Sequence, residues 1–217
     1  MTDSWLRAEW PAPDNILAGT TLRSNEAFAF PAEPQWLTQV HGNRVVRLGT
    51  ADFAGDPPQA DASVANRPGD LCVVKTADCL PVLLCSVDGG EIAAVHAGWR
   101  GLAAGVIEAT VAAMTTSPAE LLAWFGPAIS KPAFEVGGEV RDAFLAHDMA
   151  AGEAFTANER GRWQADLERL ARQRLGDAGV AAVYGGGLCT YADTEQFFSY
   201  RRDGETGRLF SFIFRRY

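Results

Sequence analysis

The sequence predicts an α/β (α+β) fold, a single compact layered domain with a mixed β-sheet and flanking helices. Three observations carry this reading. Short apolar, β-branched runs alternate with loop signals along the chain. Several of those runs are apolar throughout, as in strands covered on both faces. Three other stretches place apolar residues at helical spacing. The chain has 217 residues, 47% of them hydrophobic and 21% charged, enough for one sizeable core. No repeat, low-complexity tract or long linker divides it, so residues 1–217 read as one domain.

The elements follow in order. Candidate strands run from Trp36 to Val40, Arg44 to Leu48, Leu71 to Lys75, Pro81 to Ser86, Glu91 to His96, Leu122 to Phe125, Ala181 to Tyr184 and Leu209 to Phe214. Loop signals stand at Asp56 to Gln59, Asn66 to Asp70, Asp88 to Gly90 and Gly185 to Gly187. A first helix, rich in Ala and apolar on most sides, is expected from Leu102 to Met114, buried against the sheet. A second covers Glu139 to Ala146. The third spans Ala165 to Leu175, where Leu167, Leu170, Ala171 and Leu175 share one face and Gly176 stands in a stop position.

Charge narrows the partners. With 27 acidic residues against 19 basic ones, net -8, the chain is poorly suited to a nonspecific grip on nucleic acid. Its basic groups are uneven: Arg201, Arg202, Arg208, Arg215 and Arg216 crowd the last eighteen residues, either as a solvated end or as a grip on a small anion. The N-terminal stretch has no apolar signal segment. No run approaches the roughly eighteen apolar residues of a membrane helix. The expected setting is the cytoplasm, with no membrane partner and with reduced cysteines.

The chemistry-bearing inventory is small: His41, His96 and His147, with Cys72, Cys79, Cys85 and Cys189. Three histidines are too few for a multi-copper array. His41 and His96 each end a candidate strand just before a turn, and Cys79 sits in the break Thr76-Ala77-Asp78-Cys79-Leu80-Pro81 between two apolar strands. Two imidazoles and a thiolate suit an open, catalytic zinc site. The same residues also suit a bland reading, an inert buried thiol and two hydrogen-bonded histidines. Cys72 and Cys85 read as core, His147 as surface, and Cys189 is ambiguous. For anions, Gly98 to Gly101 opens a helix beside Arg100, and Phe197 to Arg202 interleaves aromatic rings with guanidiniums.

Together these segments resemble the YfiH family, also described as laccase-like or polyphenol oxidase proteins and as purine nucleoside phosphorylases. The resemblance rests on Thr38-Gln39-Val40-His41-Gly42, Ala60-Asp61-Ala62-Ser63, Thr76 to Val82, Ala93 to Gly101, Gly126 to Ile129, Phe134 to Gly137, Cys189-Thr190, Phe197 to Asp203 and Thr206 to Arg208. It covers nearly everything from Trp36 onward, and so many ordered motifs make it specific. It implies a zinc site formed by His41, Cys79 and His96, with copper a less suitable occupant. It also implies a layered α/β domain akin to the cytotoxic necrotizing factors.

The activity the resemblance implies is zinc-dependent phosphorolysis of purine nucleosides, such as adenosine, inosine and methylthioadenosine, with adenosine deamination as a side activity. In that reading His41, Cys79, His96 and Asp78 are catalytic, Asp78 as a proton shuttle. Arg100, Arg201 and Arg23 hold phosphate or substrate. Rival readings are a Cys-His hydrolase or deamidase built on Cys79, a copper-dependent polyphenol oxidase, and an editing role on peptidoglycan precursors. One departure stands out: Gly19 to Arg23 runs within about a dozen residues into Trp36, so two family segments before Gln39-Val40-His41-Gly42 are missing and region 1–35 is short.

Overall fold

In the computed structural model, residues 5–24 and 28–217 are described; residues 1–4 and 25–27 of the short N-terminal region lie outside that description. In chain order the strands are β1 Trp5–Arg7, β2 Ile16–Thr21, β3 Val45–Arg47, β4 Ala62–Ala65, β5 Leu71–Thr76, β6 Leu80–Ser86, β7 Ile92–Ala97, β8 Leu121–Phe125, β9 Glu135–Val136, β10 Phe155–Ala157, β11 Trp163–Ala165, β12 Ala182–Gly185 and β13 Leu209–Arg215. The helices are α1 Trp99–Ala103, α2 Val106–Ala113, α3 Gly138–Leu145, α4 Leu167–Asp177 and α5 Tyr200–Asp203.

The mixed sheet is six-stranded, ordered β12-β8-β6-β7-β4-β3. Its two outer pairs are parallel and its inner pairs antiparallel. Two antiparallel sheets accompany it, β1-β2-β13-β5 and β10-β11-β9. Period-two alternation explains the layering. On β6, Leu80, Val82 and Leu84 face the helices with Leu102, Ile107, Phe144 and Leu170. Leu83 and Cys85 face the other way, onto Cys72, Val74 and Ile213 of the four-stranded sheet. Phe212, Phe214, Leu71 and Val73 form the outer face of that second sheet, covered by Trp5, Phe28, Phe30 and Trp36. The central strands are therefore apolar on both faces, each buried Leu or Phe contributing about 1.5–3 kcal/mol.

Several sequence expectations are corrected. Trp36 to Val40 is not a strand; only Thr38 bridges, to Gln59. Gln39 there spends its side-chain amide on the Lys75 backbone, donating to its O and accepting from its N, both at 2.8 Å. The helix expected over Leu102 to Met114 is two helices, α1 and α2, because Gly105 turns left-handed at φ 87° between them, a conformation glycine adopts without cost. Ala165 belongs to β11, and α4 starts at its cap Asp166, whose carboxylate accepts from the Arg169 N–H at 2.9 Å. Gly176 lies inside α4, and Gly179, at φ 88°, follows its end. Strands β1, β2, β4, β9, β10 and β11 lack a sequence signal strong enough to announce them; all but β2 are four residues or fewer. No helix among the described residues is long and apolar enough to cross a membrane.

Candidate active site and metal centre

The topology brings three remote segments to one end of the six-stranded sheet. Leu80 pairs with Ala97 across β6 and β7, and Ala62 pairs with Val95 across β4 and β7. Cys79 immediately precedes β6, His96 is near the end of β7, and Asp61 immediately precedes β4. His41 joins them from the loop that follows Gln39. His41, Cys79 and His96 bring one donor atom each to within 4.8 Å of one another, the only such metal-capable cluster among the described residues. Cys79 Sγ lies 3.8 Å from His41 Nε2, and the two imidazoles stand edge to face at 4.7 Å. A tetrahedral zinc with ordinary Zn–S and Zn–N bonds separates sulfur from nitrogen by about 3.6 Å. The donor set and its spacing fit that ion with little adjustment.

Two glycines make the approach close enough. A Cβ on Gly98 would stand 2.8 Å from His41 Cδ2 and 3.0 Å from Cys79 Sγ. One on Gly101 would stand 2.6 Å from the Gly42 carbonyl oxygen. Helix α1 therefore packs directly on the His41–Gly42 turn.

Asp61 organises the centre, a role the sequence reading did not assign to it. Its side chain is fully buried. Oδ1 accepts from the His41 N–H at 2.9 Å and from His96 Nδ1 at 2.8 Å. Oδ2 accepts from the Gly42 N–H at 2.7 Å and the Val40 N–H at 3.2 Å. Three successive amides converging on one carboxylate form an anion nest, which holds His41 at φ 60°. An ionised carboxylate only accepts, so His96 Nδ1 carries the proton and Nε2 is left as the donor atom for a metal. Burial alone would raise the Asp61 pKa, but the bonds from His96, Gly42 and His41 outweigh it and hold the carboxyl below its ordinary value. The signal in the sequence was the stretch Ala60-Asp61-Ala62-Ser63, one of the motifs that carry the family resemblance.

The same balance activates the thiol. Burial pushes Cys79 up, yet hydrogen bonding to His41 and His96, reinforced by their charge, brings it down to about 6. For His96, burial works downward, and the bonds to Asp61 and Cys79 outweigh it and lift the imidazole to about 9. Without metal these values describe a thiolate–imidazolium pair; a zinc ion would bind the thiolate and displace the proton from His96 Nε2, while Asp61 keeps the one on Nδ1.

Around the trio lies a cavity of about 840 Å³, bordered by Trp36, Lys75, Trp99, Arg100, Phe134, Tyr200, Arg201 and Arg208 as well as Asp78. Arg100 and Arg201, both expected at the site, are there. Asp78 is there too, at φ 99°, but its carboxylate is engaged: Oδ1 accepts from the Thr190 hydroxyl and Oδ2 from the Arg201 N–H, both at 2.6 Å. Arg23 is not among the bordering residues; its guanidinium sits 5.2 Å from the Phe198 ring and 3.5 Å from Asp203. His147 is exposed just beyond α3, and Cys72 and Cys85 are buried in β5 and β6. Cys189 lies outside the cavity, its Sγ accepting from the Ser130 hydroxyl at 2.9 Å.

The chain is similar to known proteins over almost its whole length. A family model described as multi-copper polyphenol oxidoreductase laccase matches residues 13–216. An Escherichia coli protein named purine nucleoside phosphorylase YfiH is 54% identical over 183 residues, 84% of this chain and 74% of that one. A Pseudomonas aeruginosa protein named purine nucleoside phosphorylase is 45% identical over 241 aligned positions, 97% of this chain and 98% of its own. Among solved structures, a Neisseria meningitidis protein superposes with a TM-score of 0.92 at 41% identity, covering 99% of this chain and 100% of its own. YlmD from Geobacillus stearothermophilus does so at 0.87 and 26%, covering 100% and 98%.

Proposed function

We infer a function from the premise that this chain belongs to the YfiH family: it is a zinc-dependent purine nucleoside phosphorylase, with adenosine deamination as a side activity of the same site. The observation that carries the reading is the open trio of His41, Cys79 and His96 at the floor of a cavity lined by aromatic rings and cations. Relatives carrying the phosphorylase name support the reaction class. Two histidines and a thiolate favour zinc over copper chemistry, because the described residues hold no second cluster to complete a multi-copper array.

Zinc, when bound, supplies a Lewis acid that polarises an oxygen or lowers the pKa of a water. The remaining work falls to side chains. In phosphorolysis a phosphate oxygen bonds to the anomeric carbon as the glycosidic C–N bond breaks, and the departing base takes up a proton. Arg100 and Arg201 are placed to hold the phosphate against the sugar. Trp36, Trp99 and Phe134 offer flat faces to the purine. We assign Asp78 to positioning rather than proton transfer, since its two oxygens are spent on Thr190 and on the first turn of α5, which carries Arg201. Asp61 keeps the His96 proton on Nδ1 and the His41 turn in place.

The test is to incubate the zinc-loaded protein with adenosine, with and without phosphate, and to separate the products. Adenine appearing only with phosphate supports phosphorolysis, and inosine reveals deamination. Absence of both in every condition refutes the reading. One observation favours a second: Cys79, His96 and Asp61 also form a thiol–imidazole–carboxylate relay with the thiol near 6, the pattern of a cysteine hydrolase. Activity on amides that survives zinc removal and is abolished by thiol alkylation would select it.

A further inference from the structure

The cavity holds more positive charge than one orthophosphate requires. Lys75, Arg100, Arg201 and Arg208 all border it, against Asp78 as the one carboxylate among the bordering residues. None of the four cations forms an ion pair among the described residues, whereas Arg44, Arg47, Arg67, Arg169 and Arg174 elsewhere each meet a carboxylate. In an acidic chain of net charge -8, leaving guanidiniums unpaired around one cleft maintains a local positive field. Three of these cations rest on aromatic faces instead: Lys75 on Trp36 at 5.4 Å, Arg100 on Trp99 at 4.5 Å and Arg201 on Phe134 at 5.5 Å. Such stacking orients a cation without spending its charge; Arg201 Nη1 donates to the Ala133 and Glu135 carbonyl oxygens and Arg208 Nη1 to those of Thr206 and Gly207, which leaves their other nitrogens for a ligand.

The four fall into two pairs on different layers. Arg100 is in α1 and Arg201 in α5. Lys75 is in β5 of the four-stranded sheet, where Phe210 pairs with Lys75 and Leu209 with Thr76, and Arg208 immediately precedes β13, two residues before Phe210. The Lys75 backbone is held at both its N–H and its carbonyl by the Gln39 side chain, in the same loop that presents His41. Thr76 also borders the cavity; it is 1% exposed, and its hydroxyl has no hydrogen-bond partner among the described residues.

We propose that the Lys75–Arg208 pair is a second anion subsite, and that the enzyme takes nucleosides bearing their own phosphate group, nucleoside 5′-monophosphates, in addition to the phosphate that attacks the sugar. This deepens the phosphorylase reading and rests on it. A cavity of about 840 Å³ is within the range of roughly 300–1,000 Å³ that encloses ligands of this size. A dianionic ester on Lys75 and Arg208 leaves Arg100 and Arg201 for the orthophosphate.

The test is calorimetric titration of the zinc-loaded full chain with adenosine or adenosine 5′-monophosphate in buffer free of phosphate and sulfate, where no other anion competes for either subsite and phosphorolysis cannot proceed. The monophosphate is expected to bind about tenfold tighter than adenosine, as charge-assisted bonds to two cations provide. Lys75→Gln and Arg208→Gln should each remove most of that gain while leaving adenosine affinity within about twofold. Equal affinity for the two ligands overturns the proposal, as does a gain unaltered in both variants. The two readings fail separately. Adenosine cleaved in phosphate with no preference for the monophosphate defeats only the second subsite. A preference that depends on Lys75 and Arg208, with no cleavage of either ligand, upholds the subsite and defeats phosphorolysis.

Discussion

Replacing Asp61 by asparagine is the sharpest perturbation of the site. Its two oxygens accept four hydrogen bonds, two each, from His41 N and His96 Nδ1 and from Val40 N and Gly42 N. The amide of Asn presents one oxygen and one NH₂ group, so whichever way it turns, two of the four donors meet another donor. Each buried donor left without an acceptor costs about 1–3 kcal/mol, which makes the expected loss about 2–6 kcal/mol where a folded domain's total stability is about 5–15 kcal/mol. The loss is structural and should appear in zinc-free protein by urea unfolding at neutral pH. Separately, the His96 ring loses the carboxylate that fixes its tautomer, and the His41 turn loses its anchor. Zinc affinity measured against a competing chromophoric chelator should fall about 10–100-fold. An Asp61→Asn protein within about 0.5 kcal/mol of the parent, with zinc affinity within about threefold, would refute the organising role argued for this carboxylate.

Three further outcomes are expected. Gly98→Ala places a methyl against His41 Cδ2 and Cys79 Sγ; because Gly98 has an ordinary φ of -65°, folding should persist while zinc binding weakens about tenfold or more, and unchanged zinc content after dialysis would contradict it. In zinc-stripped protein, alkylation of Cys79 followed by mass spectrometry should rise with a midpoint of about 6 and be suppressed by added zinc; a midpoint near the ordinary thiol value of about 8.5 counts against the His41 and His96 contacts. Glu91 is buried, and although burial works to raise its pKa, hydrogen bonds from Thr116 and Thr115 outweigh that and hold the carboxyl below its ordinary value. Its stabilisation is therefore complete above the unfolded-state value of about 4.3 and is lost as pH falls through the folded value. Glu91→Gln should flatten this acid limb in urea midpoints measured from about pH 7 to 3, and an unaltered limb would assign acid sensitivity to other carboxylates.

The candidate centre was legible in part because strand ends announce themselves. His96 closes an apolar run, and Cys79 interrupts two of them, so both could be read as groups on a rigid frame. His41 was found for a reason the structure corrects: the segment before it is no strand but a loop pinned by Gln39 to the Lys75 backbone and by Asp61 to three amides. Neither anchor has a periodic signature, since each is a single side chain bonding to backbone far away in sequence. The split of the Ala-rich helix at Gly105 has the same character, because a left-handed glycine between two apolar stretches looks like a tolerated one until the turn is seen.

By itself the sequence determined the layered α and β character, the apolar central strands and the short supply of metal ligands, because burial pattern and composition are local properties of the chain. Only the tertiary structure decided that the described residues form three sheets, that Asp61 binds both histidine segments at once, that Arg23 stands away from the cavity, and that Lys75 and Arg208 border it together with Arg100 and Arg201. Those facts depend on antiparallel register between strands separated by up to about 200 residues in the chain, and pairing at that range is set by global packing that no window of sequence contains.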